Sequence, residues 1–132
     1  MARPTFASPP ELLAPAGYSH VVTIPAGRLA WTAGQVPMTR KREVPEGWEA
    51  QTRLAFENAG RALRAAGAEW SNVVKLTIYV VGLSNLQTIR RVRDEFVDTQ
   101  SPPTSSLVQV AALFDPDVLL EVEAVAYLPD GD

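Results

Sequence analysis

Apolar and polar positions along the chain change their period several times, and each change marks an element. The β-branched residues Val21, Val22, Thr23 and Ile24 crowd the stretch from Tyr18 to Ile24 and predict a strand. Pro25-Ala26-Gly27 then reads as a turn into a second strand over Arg28 to Ala33, so that the two form a hairpin. Beyond a charged loop from Thr39 to Pro45 the period lengthens. Over Trp48 to Ala66, the residues Thr52, Ala55, Phe56, Ala59, Ala62, Leu63 and Ala66 fall on one helical stripe, with Gly67 as its C-terminal stop. The segment Val73 to Val80 alternates, with Val74, Leu76, Ile78 and Val80 on one side and Val73, Lys75, Thr77 and Tyr79 on the other, the pattern of a half-buried strand. Ser84 followed by Gln87 fits a capping box, and the helix it opens turns Leu86, Ile89, Val92 or Arg93, and Phe96 inward until Ser101-Pro102-Pro103 breaks it. Two last strands, Ser105 to Ala112 and Leu119 to Leu128, are joined by the turn Asp115-Pro116-Asp117. The sequence holds no internal repeat, low-complexity tract or linker.

The order ββαβαββ predicts an α+β protein in which right-handed crossovers send both helices to one face of a mixed sheet. On the last two strands, Val108, Val110 and Ala112, with Leu120, Val122, Ala124 and Ala126, are the expected helix-facing set. That leaves Ser105, Leu107, Gln109, Glu121, Glu123, Val125 and Tyr127 on the reverse face beside Lys75, Thr77 and Tyr79. Such a face is too apolar for open water and too polar for a dry core. Packing against other copies of the same chain, with some water or ligand retained, suits the mixture.

Composition narrows the class. With 132 residues, 46% of them hydrophobic, the chain has the size of one domain spanning 1–132. A formal charge of −3, with both signs interspersed, offers no positive field for a phosphate backbone, so nucleic acid is not expected as a partner. The absence of cysteine removes disulfides, thiolate nucleophiles and cysteine zinc sites. The stretch Met1 to Gly17, interrupted by Pro4, Pro9, Pro10 and Pro15, has no continuous apolar core and is not expected to be a signal peptide. No later run approaches the ~20 apolar residues that span a bilayer. A cytoplasmic protein without membrane association is the expectation.

Several short pieces, taken in order and spacing, resemble the RidA (YjgF) family. They are Gly17-Tyr18 before the first strand; Thr32-Ala33-Gly34-Gln35-Val36-Pro37; Gln51, Asn58 and Ala65-Ala66-Gly67 in the first helix; Val73-Val74-Lys75-Leu76-Thr77; and Val108-Gln109-Val110-Ala111-Ala112-Leu113 followed by Glu121-Val122-Glu123-Ala124. The resemblance covers nearly the whole chain. It implies a chorismate-mutase-like fold whose sheets form a barrel in a homotrimer, with small-molecule clefts between subunits. In the family's active members these clefts hydrolyse reactive enamines and imines to keto acids and ammonia, with neither metal nor cofactor.

Carried over residue by residue, the resemblance implies a ligand site of Tyr18, Ala33, Gly34, Arg90, Ser105 and Glu121, with Glu121 the candidate catalytic group. Tyr18, Gly34 and Glu121 match the family. The arginine expected two positions after a proline is replaced, since Pro103-Thr104 leads to Ser105, and a hydroxyl cannot make the bidentate contact of a guanidinium to a carboxylate. Ala33 stands where a serine is usual. Arg90, beside Arg91 and Arg93, stands where active members often have asparagine. The cleft is thus expected to persist with altered chemistry: it binds a different imine or carbonyl metabolite, with at most slow hydrolysis. The alternative is a non-enzymatic trimer acting as metabolite sensor, chaperone or partner protein.

Simpler readings stand beside these. Glu121 either acts on a water or hydrogen-bonds across a subunit seam, the second being favoured, and its spacing from Glu123 alone makes no acid/base dyad. His20, the single histidine, is expected at a surface or interface. Asp115 and Asp117 are turn formers before they are cation ligands, so no metal site is expected. Arg90, Arg91 and Arg93 form a solvated helix face, with Arg90 the candidate anion contact. Trp31, Trp48 and Trp70 are expected to pack. One histidine and an acidic balance also argue against a ribonuclease.

Overall fold

The structure, a computed structural model, describes residues 3–129. Met1 and Ala2 of the N-terminal stretch and residues 130–132 of the expected 1–132 domain lie outside the described residues. In chain order the elements are β1 (Thr5–Ala7), β2 (Val21–Thr23), β3 (Gly27–Trp31), α1 (Trp48–Ala65), a single 3-10 turn at Trp70–Asn72, β4 (Val73–Val80), α2 (Leu86–Arg93), β5 (Thr104–Gln109) and β6 (Leu120–Pro129). The main sheet is mixed and runs β3-β6-β4-β5, with β4 and β5 parallel and the other pairs antiparallel. A separate two-stranded sheet joins β1 to β2.

Both helices cover one face of the main sheet. Ala55, Phe56 and Ala59 of α1 and Ile89 of α2 share a buried cluster with Leu76, Ile78 and Val80 of β4 and Leu120 and Val122 of β6. Each such side chain contributes roughly 1.5–3 kcal/mol by leaving water. Phe56 is the hub: its ring stacks on Trp70 at 5.1 Å and lies 5.4 Å from Phe96. Across the top of the sheet the two helices are also linked by surface ion pairs, Arg53 to Glu95 at 2.7 Å and Arg91 to Glu49 at 2.8 Å. Exposed pairs of this kind add little stability but hold the helix angle.

Several expectations are corrected. The two early strands do not form a hairpin: β2 pairs with β1, and β3 pairs with β6, Leu29 opposite Tyr127 and Trp31 opposite Val125. Pro25 has no N–H for a ladder, while Tyr127 fastens the turn to β6 by donating its hydroxyl hydrogen to the Ala26 carbonyl at 2.8 Å. Nor are the last two strands neighbours, because β4 lies between β5 and β6. The phase of β5 is reversed. Ser105 and Leu107 sit opposite the core residues Leu76 and Ile78, so they face the helices, and Val108, opposite Tyr79, is on the reverse face and 44% exposed. Pairing overrode the alternation of a short edge strand whose own residues are nearly all half-polar. Ala66 lies past the end of α1 and is exposed. The second helix starts one residue later than Ser84 implied, with Asn85 at its N-cap and no side-chain capping bond.

On β6 the phase is as expected, with Leu120, Val122, Ala124 and Ala126 buried. The reverse face therefore presents Glu121, Glu123 and Val125 together with Lys75, Thr77 and Tyr79, and beside them Leu29 (40% exposed) and Trp31 (66%). Trp48 and Trp70 pack against the core, whereas Trp31 does not belong to the core of the subunit.

Candidate functional site

The residues singled out by sequence form two groups on opposite faces of the sheet. The first lies where α2 leaves the edge strand β5. Ser19 ties the preceding loop to the start of β5: its N–H donates to the Pro103 carbonyl at 3.0 Å and its hydroxyl to the Pro102 carbonyl at 2.6 Å. This fastening sets Tyr18 over a cavity of about 350 Å³, whose polar lining is completed by Arg90 and Arg93 of α2 and Ser105 of β5. Ile78, Leu86, Ile89 and Leu107 supply much of the apolar wall. His20 braces Tyr18 edge-on, ring centroids 5.2 Å apart, and its Nε2 lies 2.7 Å from the Leu13 carbonyl.

Of the two positions that the sequence left open for Arg93, inward on the helix stripe or on a solvated face, the structure has the first. The Arg93 side chain is only 8% exposed, not part of a solvated face. Nε donates to the Asp94 carboxylate at 2.9 Å, and Nη2 donates to the Ala16 carbonyl at 3.3 Å. Gly17 makes room for it. With φ +82° the backbone there favours glycine, and a Cβ at that position would collide with Nη2 of Arg93. The signal was present in the pattern: Leu86, Ile89 and Arg93 are spaced three and four apart, so the arginine occupies the apolar stripe of α2. Arg90 lines the same cavity but is exposed, and Arg91 is held outside by Glu49.

The second group is on the reverse face. The segment Thr32–Gln35 runs along β6: the Thr32 N–H donates to the Ala124 carbonyl at 2.9 Å, the Ala124 N–H to Thr32 Oγ1 at 3.0 Å, and Gln35 and Val122 exchange backbone bonds at 2.7 and 2.9 Å. Gly34 is thereby laid on the Glu121 carboxylate, in space that a Cβ would fill, and Ala33 is exposed beside it. Next along the strand the Tyr79 hydroxyl donates to Glu123 Oε1 at 2.6 Å. Glu123 is thus engaged by a phenol, and nothing pairs it with Glu121 as an acid/base couple.

The hydrogen bond to Glu123 raises the Tyr79 pKa above the ordinary phenol value; desolvation and the charges of Glu123 and Glu121 push the same way. Because the folded phenol keeps its proton to higher pH than the unfolded one, this contribution to stability is complete below about pH 10 and is lost as pH rises through the folded value. Of the three tyrosines, one is expected to give its phenolate absorbance late in an alkaline titration, and Glu123→Gln should bring that step down. An unchanged titration in the variant would show that the bond does not control Tyr79.

Other motif residues have structural partners. Gln51 bridges two loops, donating to the carbonyls of Pro45 and Asp117 and accepting from the Leu119 N–H, all within 2.9 Å. Asn58 donates to the Val36 and Met38 carbonyls. Asp115 accepts the Asp117 N–H at 2.8 Å, which is how it makes the turn.

A small α+β protein with a mixed sheet, two helices on one face and a ligand-sized pocket beside its edge strand is the class these observations define. The chain belongs to the RidA/YjgF (Rid) family: residues 9–128 match the family model described as Endoribonuclease L-PSP. It is 33% identical over 110 residues to a 2-iminobutanoate/2-iminopropanoate deaminase of Escherichia coli (strain K12), covering 81% of this chain and 85% of that protein. Among solved structures, YyfB, a conserved Rid family protein of Yersinia pestis, superposes with a TM-score of 0.83 at 35% identity over 96% of this chain and 99% of that one. Escherichia coli TdcF with bound serine gives a TM-score of 0.71 at 34% identity, covering 87% and 91% of the two chains. No helix among the described residues is long and apolar enough to cross a membrane.

Proposed function

We propose that this protein is a single-domain, cytoplasmic Rid subunit that forms a homotrimer and binds a small anionic metabolite in clefts between subunits, without the family's usual enamine and imine deamination. It uses neither metal nor cofactor, and nucleic acid and membranes are not its partners. One observation carries the reading. The sheet of a single subunit separates Tyr18, Arg90 and Ser105 from Ala33, Gly34 and Glu121, yet each group is locally well built. A second copy seated on the reverse face, which leaves Trp31, Leu29 and Val108 exposed, would unite the two halves and cover the apolar surface. The E. coli relative at 33% identity is named for imine deamination, which supports small carbonyl or imino acids as the ligand class. With Ser105 where the family pattern calls for an arginine, the usual carboxylate grip on β5 is missing, and the ligand is held in another way.

Light scattering at micromolar concentration is expected to return about 43 kDa, three times the 14.3 kDa of the chain. A monomer or dimer would refute the assembly. If the trimer holds a carbonyl acid without turning over the matching imine, the protein is a non-enzymatic binder of such metabolites; turnover of an imine other than the small amino-acid-derived ones would make it an enzyme.

A further inference from the structure

We propose that Arg93 of α2 is the anion-binding group of the edge pocket, and that the pocket selects a monocarboxylate carrying a branched or aromatic apolar body. The proposal rests on reading the pocket as the ligand cleft and adds the residue and the ligand chemistry.

A guanidinium removed from water is tolerated only when its donors are met. Arg93 meets part of this need through Asp94 and the Ala16 carbonyl, which engage Nε and Nη2. The bare Cα of Gly17 and these two acceptors fix the fork before any ligand arrives, so that little side-chain freedom is lost on binding. Charge sets the valence. Two guanidinium groups line the pocket, Arg90 and Arg93, and one carboxylate, Asp94, is paired with Arg93. Arg90 enters no ion pair among the described residues. The remainder is about one positive charge, matched by one carboxylate. Ser105, on the opposite wall, offers a hydroxyl to a carbonyl or imino group rather than a second cation.

The rest of the wall sets the body of the ligand. Leu83, Leu86, Ile89, Ile78 and Leu107 surround a cavity of about 350 Å³, many times the ~30 Å³ share of a water molecule. A three-carbon acid would leave most of that surface wet. Each additional methylene buried there is worth roughly fourfold in affinity.

Titration calorimetry of the full chain with sodium 4-methyl-2-oxopentanoate and with sodium pyruvate tests this. Wild type is expected to bind the branched acid at least about tenfold more tightly than pyruvate. Arg93→Met should weaken both roughly a hundredfold, Arg93→Lys should restore part of the loss, and Arg90→Met should cost only a few-fold. Gly17→Ala, which keeps the arginine but pushes its guanidinium aside, should also lose at least about tenfold, and it serves if Arg93→Met does not fold. Folded variants at position 93 or 17 that bind as wild type does would overturn the assignment of Arg93. Equal affinity for the two acids would overturn the assignment of the apolar body. A wild-type trimer that binds neither acid would overturn the whole inference and leave the assembly standing, whereas a monomer that binds through Arg93 would do the reverse.

Discussion

Hydrolysis of 2-aminoacrylate is expected to run at its uncatalysed rate in the presence of the wild-type protein. Such a substrate must be held by its carboxylate while the reacting carbon faces a water, and in the family pattern an arginine on the strand after the second helix does both. By the family resemblance Ser105 stands at that position, and it lines the pocket between α2 and β5. Losing a bidentate, partly desolvated charge contact that also acts in the transition state costs a factor of about a thousand or more in rate. Arg93 and Arg90 do not repair this loss. They belong to α2 rather than to the strand, so a carboxylate they hold is expected away from the strand-side position, and a shift of about 1 Å at a reacting centre already costs on the order of a hundredfold. A coupled deaminase assay on wild type, Ser105→Arg, Arg90→Ala and Arg93→Met checks this. Ser105→Arg should gain activity. Robust wild-type turnover would defeat the prediction, and its loss in Arg93→Met or Arg90→Ala would show that the helix had taken over the strand's role.

Phe56→Ala is expected to destabilise the fold by about 3–5 kcal/mol. Phe56 is fully buried in the centre of α1, stacks on Trp70, contacts Phe96, and its carbonyl accepts the Trp70 Nε1–H at 3.3 Å. Truncation would leave a void between two rigid rings that cannot collapse into it. Leu13→Ala, at a side chain 79% exposed, should change stability by less than about 0.5 kcal/mol. Urea unfolding of both variants measures the difference; comparable midpoints would mean that the aromatic cluster is not the keystone of the helix layer.

Elements with a strong local period were readable. The stripe Thr52, Ala55, Phe56, Ala59, Leu63 is buried in α1, and the strand Val73–Val80 has the bounds its alternation gave. What failed was partnership between distant strands. Nothing near Pro25 says that Leu29 will lie opposite Tyr127, since that choice depends on which ladder remains open after the helices have packed. The phase of β5 failed for the same reason: Thr104, Ser105 and Ser106 carry no hydrophobic contrast, and register with Leu76 and Ile78 decided it. The motif positions gave Tyr18, Ala33, Gly34, Arg90, Ser105 and Glu121 as one set, whereas in the structure Tyr18, Arg90 and Ser105 line one cavity and Gly34 lies against Glu121 elsewhere. For Arg93 two readings stood side by side, an inward position on the helix stripe and a solvated face of three arginines within four residues, and burial decides for the first.

The strand order has a consequence for when the molecule can exist at all. β6, inside the main sheet, is the last of the elements among the described residues, and both of its flanking strands, β3 and β4, precede it in the chain. Until residues 120–129 leave the ribosome, the open ladders of β3 and β4 have no common partner, and α1 has no complete surface on which to settle. The helices can form early as local structure, but the sheet closes through pairings distant in sequence, Val80 with Leu120 and Gly27 with Pro129 among them, the slow kind of step. Closure of the main sheet is therefore expected to wait for β6, and until it is made the open ladders of β3 and β4 are two strand edges that need protection.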